Sequence, residues 1–448
     1  MAKRLLILGA GKSATTLIQF WLNKAAIYDV TVVVADMDAE TLNQKLGNHP
    51  KGEAWVLDFN ESESYLLAIE SADLVISMLP PTMHPRIARM CLLKKKHLIT
   101  ASYVSPEMQA FDSDAKSEGL LFLNEMGVDP GIDHMTAMEM LDQLRAKGAT
   151  ITGFESFTGG LMAPSSEMGP WKYKFTWNPR NVVLAASGGA VKFLHGGKYK
   201  FIPYHKVFRR TELIEIGKYG EFEAYGNRDS LKYKEQYNLL DAHTIYRGTL
   251  RRPGFCRAWD VFIQLGATDD SYKMDLDLNF THRDFINSFL YYHPTDSVEV
   301  KLALALHLEL EGDEMRKLRW LDMFENIPIG IDKPASPAEI LQKILEKKWS
   351  LIPGEKDMIM MLHRVSFILN SQEFIHSSYL AVEGDDERNT AMAKTVGLPM
   401  AIAAELIFKN ELKLCGVHIP VKPEIYTPVL KELDSLGIQL KHFSSDIP

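Results

Sequence analysis

The chain has 448 residues, 46% of them hydrophobic and 24% charged, with a formal net charge of −8. That length implies two or three domains, each able to bury its own core, in an ordinary globular composition. The acidic balance excludes nucleic acid and anionic membrane surfaces as main partners, although not a local basic pocket.

Cys91, Cys256 and Cys415 lie far apart, so neither a disulfide framework nor a CxxC metal or redox site is expected. The opening MAKRLLILGAGKS has too short an apolar run for a signal peptide. No apolar stretch approaches the length of a membrane span. The expected setting is reducing and cytoplasmic, with no membrane partner.

In chain order, RLLILG (4–9), VTVVVAD (30–36), AWVLDF (54–59), DLVISMLP (73–80), HLITAS (97–102) and LLFLNEMG (120–127) read as strands. Most are continuous apolar runs, as in strands of a parallel sheet buried on both faces. The segments between them are long enough for crossover helices, which gives a doubly wound α/β domain. From about 150 to 265, aromatics, glycines and arginines mix around shorter strands such as ITGFESFT and LIEIGKY, suggesting an α+β domain with a mixed sheet. From 268 to 369 the pattern reads as an all-helical insertion through VEVKLALALHLELE, SPAEILQKILEKKW and EKDMIMMLHRVSFIL. SQEFIHSSYLAVEG (371–384) reads as a strand returning to the second sheet. The tail, with TAMAKTVGLPMAIAAELIFKN and IYTPVLKELDSLGI, reads as helical.

Gly9-Ala10-Gly11-Lys12-Ser13-Ala14 follows the first strand and opens a helix, giving G-x-G-x-x-A. The first glycine permits the tight turn. The second lets backbone approach a pyrophosphate, and the small third residue lets the helix pack close. The helix N-terminus supplies N–H groups and a positive dipole. Asp36 ends the second strand 22 residues after Ala14, where a ribose-binding acid belongs. A triphosphate-binding P-loop fails, because its first glycine would fall on Leu6 in mid-strand. A carboxylate at Asp36 accepts from both ribose hydroxyls and repels a 2′-phosphate, so NAD is expected over NADP.

NEMGVDPGIDHM (124–135) crowds Glu125, Asp129, Asp133 and His134 into one strand-to-helix turn. Asp133 is expected to cap the helix. His134 reads as an oriented structural histidine rather than a base. Glu125 fits a buried hydrogen-bond acceptor equally well. A metal site is a poor reading, since the ligands straddle a turn and no HExxH motif is present.

These residues, with ITASYVSPEMQAF, GNRDS (226–230), YRGTLRRPGF (246–255) and MAKTVGLPMAIAA (392–404), resemble in order the glutamate-forming saccharopine dehydrogenase family. The resemblance implies a Rossmann domain over 1–128 and 390–448. It also implies an α+β substrate and dimerisation domain over 129–267 and 370–389, and a helical domain over 268–369. It implies a homodimer acting on saccharopine, with nicotinamide-linked cleavage to glutamate and 2-aminoadipate 6-semialdehyde, or the reverse.

Oxidising a secondary amine and hydrolysing the imine moves protons at every step, so acid–base groups must stand beyond the strand ends. Asp129 is the expected proton-transferring or amine-orienting carboxylate, with Tyr103 as partner. A substrate with three carboxylates calls for arginines. Arg228 is the strongest candidate, followed by Arg247 with Gly248 and Thr249, and by Arg180. Ser102 joins Tyr103 and Asp129 in the implied substrate set. The implied cofactor set adds Lys12, Ser13, Asp58, Met78, Leu79, Ala101, Ser102, Val128, Asp129 and Pro130 to the glycine loop and Asp36.

FTGGLMAP (157–164) departs from the family's YCGG-L-PAP, with Thr158 for a cysteine and Phe157 for a tyrosine. Thr158 forms no thiolate near neutral pH. Two alternatives stay open. One is a related enzyme, namely carboxynorspermidine or homospermidine synthase or lysine 6-dehydrogenase. The other is a catalytically idle NAD-binding scaffold.

Overall fold

The computed structural model describes residues 2–185 and 189–443. The elements up to residue 150 are β1 (Lys3–Leu8), α1 (Thr15–Lys24), β2 (Val30–Asp36), α2 (Ala39–Leu46), β3 (Gly52–Val56), α3 (Ser62–Ser71), β4 (Leu74–Ser77), α4 (His84–Leu93), β5 (His97–Thr100), α5 (Pro106–Gln109), α6 (Asp112–Ser117), β6 (Leu121–Leu123) and α7 (Ile132–Ala146). There follow β7 (Thr150–Met162), α8 (Pro179–Val183), β8 (Val191–His195), β9 (Lys198–Ile202), β10 (Thr211–Glu215), β11 (Glu221–Gly226), α9 (Tyr233–Gln236), β12 (Thr244–Arg251) and α10 (Phe255–Leu265). Helices α11 (His282–Asn287), α12 (Val298–Leu306), α13 (Asp313–Trp320) and α14 (Pro337–Trp349) lead to β13 (Asp357–Leu369) and β14 (Gln372–Glu383). The tail carries α15 (Ala391–Phe408), β15 (Gly416–His418), α16 (Pro423–Ser435) and β16 (Lys441–His442).

These elements form two compact units, Met1–Thr150 with Leu380–Lys441, and Ile151–Tyr379 with His442–Pro448. The first unit is built on a parallel sheet of order β15-β6-β5-β4-β1-β2-β3. Leu5, Leu6, Ile7 and Leu8 of β1 are all fully buried, which is why the strand reads as an unbroken apolar run. Strand order reverses between β1 and β4, the place where open α/β sheets bind ligands.

The tail completes this unit. The sequence reading gave it only helices, but β15 adds to β6 as a seventh parallel strand, pairing Val417 with Phe122. Three residues are too few to show a period in sequence. Helix α15 is capped by Thr390, whose Oγ1 accepts from Ala393 N–H at 3.0 Å. It crosses α1 so closely that a Cβ on Gly397 would stand 2.9 Å from the Leu17 backbone nitrogen. Glu405 of α15 is buried and accepts from Lys24 Nζ at 2.6 Å and from Tyr28 Oη at 2.5 Å. Against the sequence expectation, α15 is long and apolar enough to cross a membrane by length and composition alone. However, 78% of that stretch is buried, as in a core helix.

The second unit holds a mixed sheet of order β10-β11-β12-β7-β13-β14-β16, with the hairpin β8–β9 joined to β12. Strand β12 is parallel to β7 and antiparallel to β11. Residues 357–369, expected as helix, form the strand β13. It is buried from Asp357 to His363 between β7 and β14. An apolar run of that kind carries no period to tell a doubly covered strand from a buried helix. The deciding cue is the turn after it. Asn370 and Ser371 both have positive φ, at 51° and 65°, the signature of a two-residue hairpin. Helices α10 and α14 share one aromatic cluster, in which Trp171 meets Trp349 edge-on at 5.2 Å and Phe255 at 5.6 Å. The helical stretch therefore belongs to the same compact unit as the mixed sheet, while α7 belongs to the first unit.

The α1–α15 crossing generates a test. Gly397→Val should lower the urea midpoint by the equivalent of about 1–3 kcal/mol through overpacking, because the gain in helix propensity over glycine is smaller, at most about 0.5 kcal/mol. An unchanged midpoint would mean that the two helices do not meet this tightly.

Candidate active site

The glycine loop leaves β1 at the switch point. Gly9 has φ +98°, and a Cβ there would stand 3.2 Å from the Met78 backbone at the exit of β4. At Gly11, by contrast, a Cβ would meet no atom within 4 Å, so the loop faces open space. Lys12–Ala14 form a single 3-10 turn that runs into α1. Its first N–H groups have no acceptor within the helix and are available to an anion. Asp36 Oδ2 accepts from Ala10 N–H at 2.6 Å, and Oδ1 from Asp38 N–H at 3.1 Å. The open loop, the unspent donors and the carboxylate beside them fit a dinucleotide. Asp58 lies in the turn after β3, where it accepts from Asn60 N–H at 2.8 Å. Leu79 is buried behind the β4 exit.

A lysine absent from the sequence reading completes this corner. Lys45 of α2 reaches back to donate to the Gly11 carbonyl at 2.9 Å and to Thr15 Oγ1 at 2.6 Å. Burial pushes its ammonium down to about 8, against the opposing pull of Asp36.

The exits of β5 and β6 carry the second cluster. A Cβ on Gly131, where φ is +147°, would overlap the Gly127 carbonyl oxygen at 2.0 Å. Only glycine lets this turn close on itself. Gly127 N–H donates to the Pro130 carbonyl at 2.9 Å and Ile132 N–H to the Gly127 carbonyl at 2.9 Å. Asp133 Oδ1 accepts from Gly131 N–H at 2.6 Å, holding the start of α7. Glu125 is buried with φ +59°. One of its oxygens accepts from Val104 N–H at 2.9 Å, and the other lies 2.7 Å from His134 Nε2. This frame sets Tyr103 against Asp129, with the phenol donating to Oδ1 at 3.1 Å. Both side chains are half-buried, while Val128 and Pro130 are buried. Ala101 packs under Gly127, whose Cβ would stand 3.2 Å from that of Ala101. Ser102 Oγ lies 2.9 Å from Nε2 of the buried His84, a residue that sequence reasoning also missed.

The arginines and Thr158 lie in the second unit. Arg247 is buried on β12. Its guanidinium donates to Tyr233 Oη and sits over the Tyr233 ring at 4.1 Å, while its backbone N–H donates to Ser230 Oγ at 2.9 Å. Arg228 follows β11 in a left-handed conformation, φ +52°, with its carbonyl accepting from Lys192 N–H at 3.0 Å. Gly248 lets the strand pass under Phe157, since a Cβ there would stand 2.7 Å from that ring. Thr249 pairs with Thr158 across β12 and β7. Thr158 Oγ1 is buried without a partner among the described residues, a state that costs about 1–3 kcal/mol unless water or a ligand fills it. Arg180 is engaged elsewhere. It pairs with Asp270, which also accepts from Ser336 Oγ at 2.6 Å, and it lines a surface pocket with Glu339 and Lys343 of α14.

Comparison with known proteins settles the family. The Saccharopine dehydrogenase NADP binding domain matches residues 5–123, and the Saccharopine dehydrogenase C-terminal domain matches residues 127–438. The chain belongs to the saccharopine dehydrogenase family. It is 33% identical to the mitochondrial alpha-aminoadipic semialdehyde synthase of Bos taurus over 97% of its own length and 47% of that protein. It thus spans about half the length of the first curated relatives it matches. It is 32% identical to the saccharopine dehydrogenase [NADP(+), L-glutamate-forming] of Pyricularia oryzae, over 86% of this chain and 87% of that one. The structure of apo saccharopine dehydrogenase (L-Glu forming) from Saccharomyces cerevisiae superposes with a TM-score of 0.86 at 28% identity, covering 98% and 99% of the two chains. Membership in the saccharopine dehydrogenase family accounts for the Rossmann sheet and the second, mixed sheet, and it implies a nicotinamide dinucleotide.

Lys45 links this site to pH. Dinucleotide affinity, followed by fluorescence, should fall several-fold as pH rises through about 8, where the loop loses its ammonium. Lys45→Met should be weaker at neutral pH and flat across that range. The stability effect has the opposite sign. The folded pKa lies below the unfolded one, so an unfavourable contribution is present below pH about 8 and is relieved as pH rises towards about 10.4. An affinity that stays constant through pH about 8 in the wild type would remove Lys45 from the dinucleotide site.

Proposed function

We propose that the chain oxidatively cleaves saccharopine to L-glutamate and 2-aminoadipate 6-semialdehyde, or runs the reverse condensation. The observation that carries this is the Tyr103–Asp129 pair, held beyond the C-terminal ends of the sheet whose first turn fits a dinucleotide. A nicotinamide dinucleotide held by the glycine loop and Asp36 would supply the hydride acceptor for the carbon beside the substrate nitrogen. Asp129 holds the amine proton and returns it as the imine takes up water and the carbinolamine collapses. Tyr103 keeps that carboxylate oriented. In the second unit, Arg228 and Arg247 carry planar forks of the kind that grip carboxylates, and the Tyr233 ring fixes the Arg247 fork in place.

The cofactor proposed is NAD. Asp36 already accepts two backbone N–H groups, so its carboxylate is held where a 2′-phosphate would meet like charge. The matching domain model and the relatives' names specify NADP instead, so a preference for NAD would set this chain apart from them. Homodimerisation and a cytoplasmic setting are proposed on the resemblance and the composition alone.

Purified protein with saccharopine should reduce NAD faster than NADP. Asp36→Ala should weaken NAD binding much more than NADP binding, and equal losses would sink the ribose assignment. Asp129→Asn should cut turnover by roughly 100-fold or more while dinucleotide still binds. Near-normal turnover would take Asp129 out of the chemistry.

A further inference from the structure

His84 stands in LPPTMHP as the first residue of α4, just after β4. Only 4% of it is exposed, and its ring bridges two strand ends. Nδ1 lies 3.1 Å from Oγ of Ser77, the last residue of β4, and Nε2 lies 2.9 Å from Oγ of Ser102, two residues past β5. Burial pushes the imidazole down to about 4, so the ring is neutral under ordinary conditions. A neutral imidazole has one donor and one acceptor, whereas a serine hydroxyl can be either. The chain Ser77–His84–Ser102 therefore runs in one sense at a time. When Ser77 donates to Nδ1, Nε2–H donates to Ser102 Oγ, and the Ser102 hydroxyl proton is turned away from the ring.

The Ser102 backbone is already committed. Its N–H donates to Thr100 Oγ1 at 3.3 Å and its carbonyl accepts from Glu125 N–H at 3.2 Å. The hydroxyl of this half-buried residue is what remains for a ligand, immediately before Tyr103.

We propose that His84 is a positioning residue, a neutral relay that fixes the Ser102 hydroxyl as an outward donor to a substrate carboxylate. The inference rests on the saccharopine reading above, with Ser102 in the substrate set.

The test uses the full chain with NAD present and saccharopine binding measured by calorimetry, alongside KM and kcat. In His84→Gln the amide reaches the Nε2 position and can still donate to Ser102. In His84→Asn it reaches only the Nδ1 position, toward Ser77. His84→Asn should raise the saccharopine Kd and KM about five- to tenfold, the weight of one hydrogen bond, with kcat and NAD affinity little changed. His84→Gln should recover most of that loss. In a Ser102→Ala background the two variants should bind saccharopine equally. Equal losses in His84→Gln and His84→Asn, or losses that persist without the Ser102 hydroxyl, would overturn the relay. If His84 variants do not fold, Ser77→Ala gives the second reading, with a smaller rise in KM that must vanish in Ser102→Ala. Failure of the wild type to bind saccharopine would instead overturn the substrate reading and remove the relay's ligand with it, whereas binding without the Gln–Asn difference overturns His84 alone.

Discussion

The Tyr103–Asp129 corner of the first unit depends on one buried acidic side chain. Glu125 spends one oxygen on the Val104 amide and the other on the His134 ring, and so ties the loop after β5 to the first turn of α7. Tyr103 precedes the first of those partners by one residue, and Asp129 sits between Glu125 and the second. Moving the clamp would move both ends of the Tyr103–Asp129 hydrogen bond together. Its left-handed backbone and burial make the position demanding, since a carboxylate kept from water is tolerated only when hydrogen-bond donors meet it. The crowding of ionisable groups in NEMGVDPGIDHM thus has a division of labour. Glu125, Asp133 and His134 are spent on holding the turn, and Asp129 is the one presented with a phenol.

The same arrangement recurs at three of the proposed functional groups. Asp129 receives Tyr103, Ser102 meets His84, and Arg247 lies against Tyr233. For Ser102 and Arg247, orientation comes from neighbours, His84 and Tyr233, that never need to touch a ligand. That is the physical content of a preorganised site, in which little side-chain entropy remains to be lost on binding.

What was legible in the sequence was what is local. The glycine loop, Asp36 and the strand–turn–helix around Pro130 are set by contiguous residues whose types dictate backbone shape. His134 could be assigned a holding role because turn chemistry acts over a few residues, whereas Asp133 is not the expected cap: it lies inside α7 and accepts from the N–H of Gly131, which occupies the cap position. The misses share the opposite property. β13 reads as a helix in sequence because burial on both faces erases periodicity, and Asn370-Ser371 is the local hint against it. β15 is too short to show a pattern. Lys45 and His84 carry no motif, since their partners lie in other elements, 34 residues away for Gly11 and 18 for Ser102. Only the fold makes them neighbours.

The interleaving of the two units has a consequence for synthesis. The parallel sheet is left with an open place beside β6 and an uncovered α1 until α15 and β15 arrive, and those follow the whole of Ile151–Tyr379. Between the emergence of residue 150 and that of residue 441 the ribosome needs roughly 15–60 s at about 5–20 residues per second. For that interval Leu17 and the free edge of β6 face solvent or a chaperone, while the inserted unit lacks only the few residues from His442 onward. The dinucleotide unit, first to begin, therefore closes its sheet only after the whole of Ile151–Tyr379 has been made.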